Sequence, residues 1–238
     1  MIPSDAFYTL FARTYASYSA SKAAYISSVN EFVYKESALL SSLVDVGSGD
    51  GKRGKVIANK LNISDVTFID NSEGMLTLAR QIPDVRVIKD DITKKDFETD
   101  RAYGLVLCLW NVLGHIDTVE SRKNAISNLS KLLTNDGVLI IDVNNRYNSR
   151  HYGKMAVAVN IMKDIFTPND RRGDFDLNIN ISSGAIKTKV HVFNPREIRN
   201  LILSAGLRVE KMQVVNYDTG ENERHFWNGQ LVYKIRKE

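Results

Sequence analysis

The sequence predicts an α/β protein built on a doubly wound, mostly parallel sheet, with a small antiparallel insertion after the fifth strand. Three observations predict it. Short continuous apolar runs alternate with helical stretches from residue 43 to residue 143, the pattern of parallel strands covered on both faces. A glycine-rich segment closes the first run. After residue 144 the rhythm changes to alternating apolar and polar residues, the mark of half-exposed antiparallel strands.

The elements follow in order. Residues 1–36 are helical and aromatic-rich, and Phe7, Phe11, Tyr15 and Tyr18 recur at helical spacing on one face. That face packs on the body of the fold, and the same segment is suited to act as a lid over a site. Leu43 to Val46, Val66 to Ile69, Val85 to Ile88, Tyr103 to Trp110 and Val138 to Val143 read as five strands. Lys52 to Lys60, Ser72 to Arg80 and Val119 to Leu133 read as the helices between them. Right-handed crossovers then give a doubly wound sheet.

Within the insertion, 144–192, Phe175 to Ser182 and Ile186 to Phe193 alternate, with a turn at Ser183-Gly184. Asn194 and Pro195 open a helix that Gly206 stops. Leu207 to Tyr217 and Phe226 to Ile235 are two closing strands, joined by a loop and able to pair antiparallel at the sheet edge.

Composition bounds the function. The 238 residues suffice for a single domain, 1–238, with 43% hydrophobic residues for a core. Lys and Arg exceed Asp and Glu by 32 to 28, a net charge of +4 scattered along the chain, which argues against a dedicated nucleic-acid binder. The single cysteine, Cys108, lies in an apolar run and reads as a core residue. No Cys/His cluster has metal-ligand spacing, so no metal is expected. The N-terminus lacks a secretory pattern and no apolar run spans a bilayer, so the expected location is cytoplasmic. Monomer and homodimer both stay open.

The chemistry lies at the glycines. The segment 43–51 reads LVDVGSGDG and runs from the first strand into a helix. In a doubly wound sheet, ligands bind at the carboxyl ends of the strands. Asp70 ends the second strand, nineteen residues after Gly51, where a carboxylate can accept both hydroxyls of a ribose. Asp45 and Asp50 flank the glycines; a pyrophosphate would be repelled by them, whereas a sulfonium with an α-ammonium group would be attracted. Asp90, Asp91 and Ile92 follow the third strand and suit an adenine, through its amine and its ring face. Gly49, Gly51 and Gly54 also fit G-x-G-x-x-G, which leaves a nicotinamide-dependent oxidoreductase as a competing reading.

Three segments, LVDVGSGDG at 43–51, FIDNSEGML at 68–76 and DDI at 90–92, together resemble the successive motifs of class I S-adenosylmethionine-dependent methyltransferases. The resemblance covers about residues 40–145 and the closing strand pair. It implies a seven-stranded Rossmann-like sheet with an antiparallel last strand. It also implies S-adenosylmethionine as methyl donor and S-adenosylhomocysteine as product. The backbone of Gly47, Ser48, Gly49 and Gly51 would receive the methionine moiety. Asp70 would take the ribose, with Asn71 and Met75 beside the adenine, and Asp91 and Ile92 would complete that pocket. Asp45 would orient the loop or meet the amino group.

The acceptor side begins at LCLWNVLGHI, residues 107–116, where Leu109 and Trp110 would face the sulfonium. Asn111 offers a donor and an acceptor. His115 is either a general base or a histidine packed under the loop. Together with DGVLIIDVNN at 136–145, this segment is similar to glycine N-methyltransferases and related small-amine enzymes. In those an arginine after the fifth strand meets the substrate carboxylate. Here that position holds Asn144 and the arginine falls at Arg146, so an amino-acid acceptor is not implied; Arg146 hints at an anionic group on the acceptor. The tetrapeptide N-[PA]-P-[YFW] of amino-methylating nucleic-acid enzymes is absent after the fourth strand. The expectation is methyl transfer to a small molecule, nitrogen ahead of oxygen, with His115, Asn111 and Tyr15 as catalytic candidates. Asn144, Arg146, Tyr8, Tyr18 and Tyr152 are the acceptor-binding candidates. An RNA methyltransferase and a non-catalytic S-adenosylmethionine-binding protein are the alternatives.

Overall fold

A computed structural model describes residues 2–37, 39–167, 169, 171–181 and 184–238. Two helices open the chain, α1 (Ser4–Ala20) and α2 (Ala23–Glu36). The sheet strands are β1 (Ser42–Val46), β2 (Asp65–Asp70), β3 (Arg86–Lys89), β4 (Tyr103–Cys108) and β5 (Leu133–Val143). Helices α3 (Lys52–Lys60), α4 (Glu73–Ala79) and α5 (Val119–Leu132) make the crossovers. The insertion holds α6 (Ser149–Tyr152), α7 (Lys154–Phe166), β6 (Asp174–Ile181) and β7 (Gly184–His191). The chain ends with α8 (Pro195–Ser204), β8 (Leu207–Val215), β9 (Asn222–Glu223) and β10 (Gln230–Lys237).

The sheet order is β3-β2-β1-β4-β5-β10-β8-β9. β1 to β5 pair in parallel, and β10 runs antiparallel between β5 and β8. Against the seven strands expected, the sheet has eight, the extra one being the two-residue β9 on the edge of β8. Both faces are covered. Val44, Val106, Leu139 and Ile141 enter one core with α5 and α8. Their strand neighbours Leu43, Leu105, Val138 and Ile140 enter the other, with α2 and α3. Successive strand residues point to opposite faces, so burial on both sides requires a run that is apolar throughout.

α2 buries Tyr25, Val29, Phe32 and Val33, steps of four, three and one that make one helical stripe. α1 lies instead across the carboxyl ends of the strands. Its Thr9 backbone meets Gly74 of α4 so closely that a Cβ there would stand 2.8 Å from Thr9 Cα. Ile2 N, just before α1, donates to Lys187 O of β7 at 3.0 Å.

The insertion departs from expectation. It contains two helices ahead of the hairpin, α7 being thirteen residues long. Met155, Val159, Met162 and Phe166 follow helical spacing on α7, and all four are exposed. The segment therefore has a helical period without a continuous apolar run. The hairpin β6–β7 forms a separate two-stranded sheet; the expected turn at Ser183-Gly184 falls partly outside the described residues. A buried ion network ties the insertion to α8. Arg146 Nη2 meets Asp164 Oδ2 at 3.0 Å and Glu197 Oε2 at 3.5 Å. His191 bridges Asp174 (2.6 Å) and Glu197 (2.8 Å). Tyr147 and Arg172 also bond Asp164; burial works against its charge, but these partners and Arg146 hold its carboxyl below the usual range.

Among the described residues, no helix is long and apolar enough to cross a membrane. α8 is closed by a full capping box: Asn194 Oδ1 accepts from Glu197 N at 2.8 Å, and the Glu197 side chain reaches back to Asn194 N. Asn194 Nδ2 also donates to Asp164 at 3.2 Å. Asn194→Ala therefore costs about 1–2 kcal/mol, a fall in Tm of roughly 2–8 °C, read by differential scanning calorimetry; an unchanged Tm would show that the cap carries no stability.

Candidate active site

The loop after β1 is held in place by β2. Gly47 N and Ser48 N both donate to Ile69 O, at 2.8 and 3.3 Å. Gly49 N donates to Asp70 Oδ2 at 2.9 Å, and Ser72 N to Asp70 Oδ1 at 2.8 Å. Gly47 and Gly49 have φ of +70° and +56°, a region where a side chain is strained. A Cβ on Gly47 would also stand 2.5 Å from Val112 Cγ2, and one on Gly49 3.3 Å from the Tyr15 hydroxyl. Glycine is thus required both by the turn and by what covers it.

Above the loop lies a cavity of about 680 Å³. Most of the sequence-predicted residues are brought together on its wall. Gly47, Gly49, Asp70, Asn71, Met75, Asp90, Asp91 and Ile92 line one side. Leu109, Trp110, Asn111, His115 and Asn144 line the middle, and Tyr8, Tyr15 and Tyr18 of α1 form the cover.

Five expected residues are elsewhere. Asp45 lies behind the loop, its carboxylate against Gly54. The Ser48 hydroxyl is buried off the cavity, and Gly51 packs on Phe68. Arg146 is 5% exposed within the ion network; two carboxylates hold it away from the wall, so it does not offer the expected contact to an acceptor anion. Tyr152 stands on the short α6, 38% exposed and edge-on to His151.

The end of β4 carries a backbone conformation that the residue pattern does not announce. Trp110 and Asn111 are consecutive non-glycine residues at φ +64° and +60°, a conformation costing about 1–3 kcal/mol each. Asp142 at the end of β5 holds it: its carboxylate accepts from Trp110 N and from the Tyr25 hydroxyl. Asn111 Oδ1 accepts from Asn144 N at 2.9 Å. Asn111 Nδ2 and His115 Nδ1 are buried without a hydrogen-bond partner among the described residues. His115 Nε2 lies 2.9 Å from the Tyr8 hydroxyl, a pairing across 107 positions that no local pattern announces. The acid interrupting the apolar run 138–143 was the one sequence signal for Asp142.

Burial sets the protonation states. It pushes Asp45 up to about 7, with Arg53 pulling the other way and Asp70 and Asp142 adding to the rise. Asp70 is raised by burial, opposed by the Ser72 and Gly49 N–H groups. Tyr8 and Tyr15 are raised by burial and keep their protons. His115 is brought down to about 4 by burial, so its ring is neutral at physiological pH.

Comparison with known proteins adds to this geometry. Residues 43–137 match the methyltransferase domain family. The match ends before the insertion. A curated relative, dTDP-3-amino-3,4,6-trideoxy-alpha-D-glucopyranose N,N-dimethyltransferase from Streptomyces venezuelae, is 27% identical over 121 residues, 50% of this chain. The chain spans about half that relative's length, 49%. Among solved structures, an S-adenosylmethionine-dependent methyltransferase from Clostridium acetobutylicum has TM-score 0.64 at 14% identity, covering 91% of this chain and 92% of the other. A sugar N-methyltransferase from a Streptoalloteichus species has TM-score 0.63 at 18% identity, covering 94% and 92%. An amino pentose methyltransferase from Micromonospora echinaspora has TM-score 0.61 at 17% identity, covering 93% and 95%. At these identities the structural likeness is one of fold. Sequence motifs, strand order and family match converge on residues 43–137, the segment of this chain that matches the methyltransferase domain family.

Proposed function

We propose that the protein transfers a methyl group from S-adenosylmethionine to a small-molecule acceptor, at nitrogen ahead of oxygen. The observation that carries this reading is the cradle of Gly47, Gly49 and Asp70, bonded together and open to the cavity. The residues fit the donor. The glycines leave room for its methionine part, and Asp70 retains acceptor capacity for a ribose diol. Asn71, Met75, Asp90, Asp91 and Ile92 suit the adenosine. Asp45, with Ser48 and Gly51, supports the loop from behind. The curated relative's name, an amino-sugar N,N-dimethyltransferase, and the sugar N-methyltransferase among the structural neighbours support nitrogen as the acceptor atom, and the amino pentose methyltransferase agrees with it.

When bound, the donor supplies an electrophilic methyl carbon; the acceptor's lone pair forms the new bond as the carbon–sulfur bond breaks and its electron pair returns to sulfur. The protein's part is alignment and desolvation. Leu109, Trp110 and Asn111 border the reacting region, and Tyr18 stacks on Trp110 with ring centroids 5.6 Å apart. Asn111, its Nδ2 packed against Gly114, holds the Asn144 backbone at the cavity wall through its Oδ1. His115, neutral and bonded to Tyr8, fixes the position of that tyrosine at the cavity wall; an amine acceptor loses its proton to water.

α1 acts as a lid. Its tyrosines cover the glycine loop, and its seat against Gly74 must open for ligand exchange. Gly74→Val displaces Thr9 and should weaken retention of the adenosyl product while the sheet core keeps its stability; unchanged release kinetics in stopped flow would remove the lid.

A thermal-shift assay tests the central reading. S-adenosylmethionine or S-adenosylhomocysteine at about a hundred times Kd adds about 2.7 kcal/mol, a rise of roughly 5–10 °C; Asp70→Ala should abolish most of it. Stabilisation by NAD or NADP alone would overturn the reading. His115→Gln, which disturbs the pairing with the Tyr8 hydroxyl, should lower kcat at pH 7.5 with the adenosyl shift retained. Its unfolded-state pKa is about 6.5 and its folded value about 4. Between these values the unfolded chain binds more protons, so the native protein loses stability as pH falls through that window. His115→Gln should remove this share of the loss, measured as Tm against pH.

A further inference from the structure

The acceptor side of the cavity differs from the donor side in both polarity and charge. Its outer wall is one face of the hairpin, where Phe175, Leu177 and Ile179 of β6 point inward with Val190 of β7 beside them. The residues of opposite parity point outward and carry the hairpin's charges, as in the Lys187–Asp176 pair at 2.6 Å. Two acids stand at the mouth: Asp5 in the first turn of α1, and Asp117 just after the His115 turn. Both are exposed, and neither forms an ion pair with a described residue.

The cations on the wall are Lys89 and Lys94. Both lie at the end of β3, on the donor side, where Lys89 pairs with Glu73 (3.2 Å) and Lys94 with Asp90 (2.6 Å). Arg146 is held in the ion network off the cavity. Among the described residues, the acceptor side therefore offers no cation. A nucleotide diphosphate needs arginine or lysine partners to offset its desolvation, and here it would meet two carboxylates instead.

We propose that the acceptor is an amine on an apolar body, free of phosphate, and not a nucleotide-linked sugar. This rests on the methyl-transfer reading above and narrows it. The amine arrives as an ammonium ion, drawn to Asp5 and Asp117. Its apolar part lies against Phe175, Leu177, Ile179 and Val190. The ammonium gives its proton to water at the mouth, and the free amine, its lone pair available for attack, enters the dry interior.

The test is calorimetric titration of the full chain loaded with S-adenosylhomocysteine, using four probes. Phenethylamine carries charge and an apolar body; 2-phenylethanol lacks the charge; glucosamine lacks the apolar body; dTDP carries the diphosphate. Phenethylamine should bind at least tenfold more tightly than glucosamine, about 1.4 kcal/mol, and several-fold more tightly than 2-phenylethanol. Excess dTDP should leave its affinity unchanged. Leu177→Asn should narrow the gap between phenethylamine and glucosamine, and Asp117→Asn the gap between phenethylamine and 2-phenylethanol. Neither should alter S-adenosylhomocysteine affinity. Displacement of phenethylamine by dTDP, equal binding of glucosamine, or absence of phenethylamine binding would overturn the proposal. Failure of S-adenosylhomocysteine to bind at all would instead overturn the reading on which it rests.

Discussion

Three carboxylates, Asp45, Asp70 and Asp142, are buried at the carboxyl ends of β1, β2 and β5, and their demand for hydrogen-bond donors shapes the site around them. A buried carboxylate without partners is untenable, so the chain is bent to supply N–H and O–H groups. Asp70 draws Gly49 N and Ser72 N, which fixes the glycine loop against the start of α4. Asp142 draws Trp110 N and the Tyr25 hydroxyl. This holds two left-handed residues at the end of β4 and ties α2 to the sheet. Asp45 is the least satisfied and sits nearest to neutrality. The strain at Trp110 and Asn111 is sustained because Asp142 would lose its partners if it relaxed.

What the sequence revealed follows from how far each signal reaches. The glycines, Asp70 and the run after the third strand are local patterns with one structural solution. Gly47 must be glycine for its turn, and Asp70 reaches the loop from the strand end next to it. The strands were legible because burial on both faces leaves few polar positions. The α7 helix was missed for the converse reason: it is exposed nearly all round, with Val157 its one buried residue. Its apolar residues Met155, Val159, Met162 and Phe166 recur at helical spacing but face outward, and no continuous apolar run marks the segment. The pairing of Tyr8 with His115 and the alternation of Phe175, Leu177 and Ile179 toward the cavity depend on tertiary approach, which residue spacing does not encode. Arg146 shows the limit most clearly, since an arginine two positions from a strand end is equally compatible with a ligand contact and a buried ion network.

The molecule divides its labour between two kinds of attachment. The donor half is part of the sheet, and its geometry follows from strand register and from backbone groups that every residue carries. The insertion, the acceptor half on the proposed reading, is tied to α8 largely by side chains: the Arg146–Asp164–Glu197 network, His191 between Asp174 and Glu197, and the Asn194 cap. Such networks contribute little net stability, because desolvation offsets the attraction between the charges, but they are exacting about geometry. They hold the hairpin at one distance from the donor loop, which is what alignment of two reactants requires.

α1 is the element both halves share. Thr9 lies on α4 and Tyr15 on the glycine loop, while Ile2 bonds the hairpin strand β7. Its tyrosines line the cavity, and their rings join an aromatic cluster with Phe7 and Phe11. On the proposed reading of α1 as a lid, moving it would expose donor and acceptor surfaces together, and closing it would dry both together. A methyl transfer between two bound molecules needs that coupling, since water left on either side weakens the alignment and the electrostatics on which the step depends. The same helix carries Asp5 at its start and Tyr8 one turn later, so the group that attracts a cation at the mouth and the group that holds His115 inside move as one body.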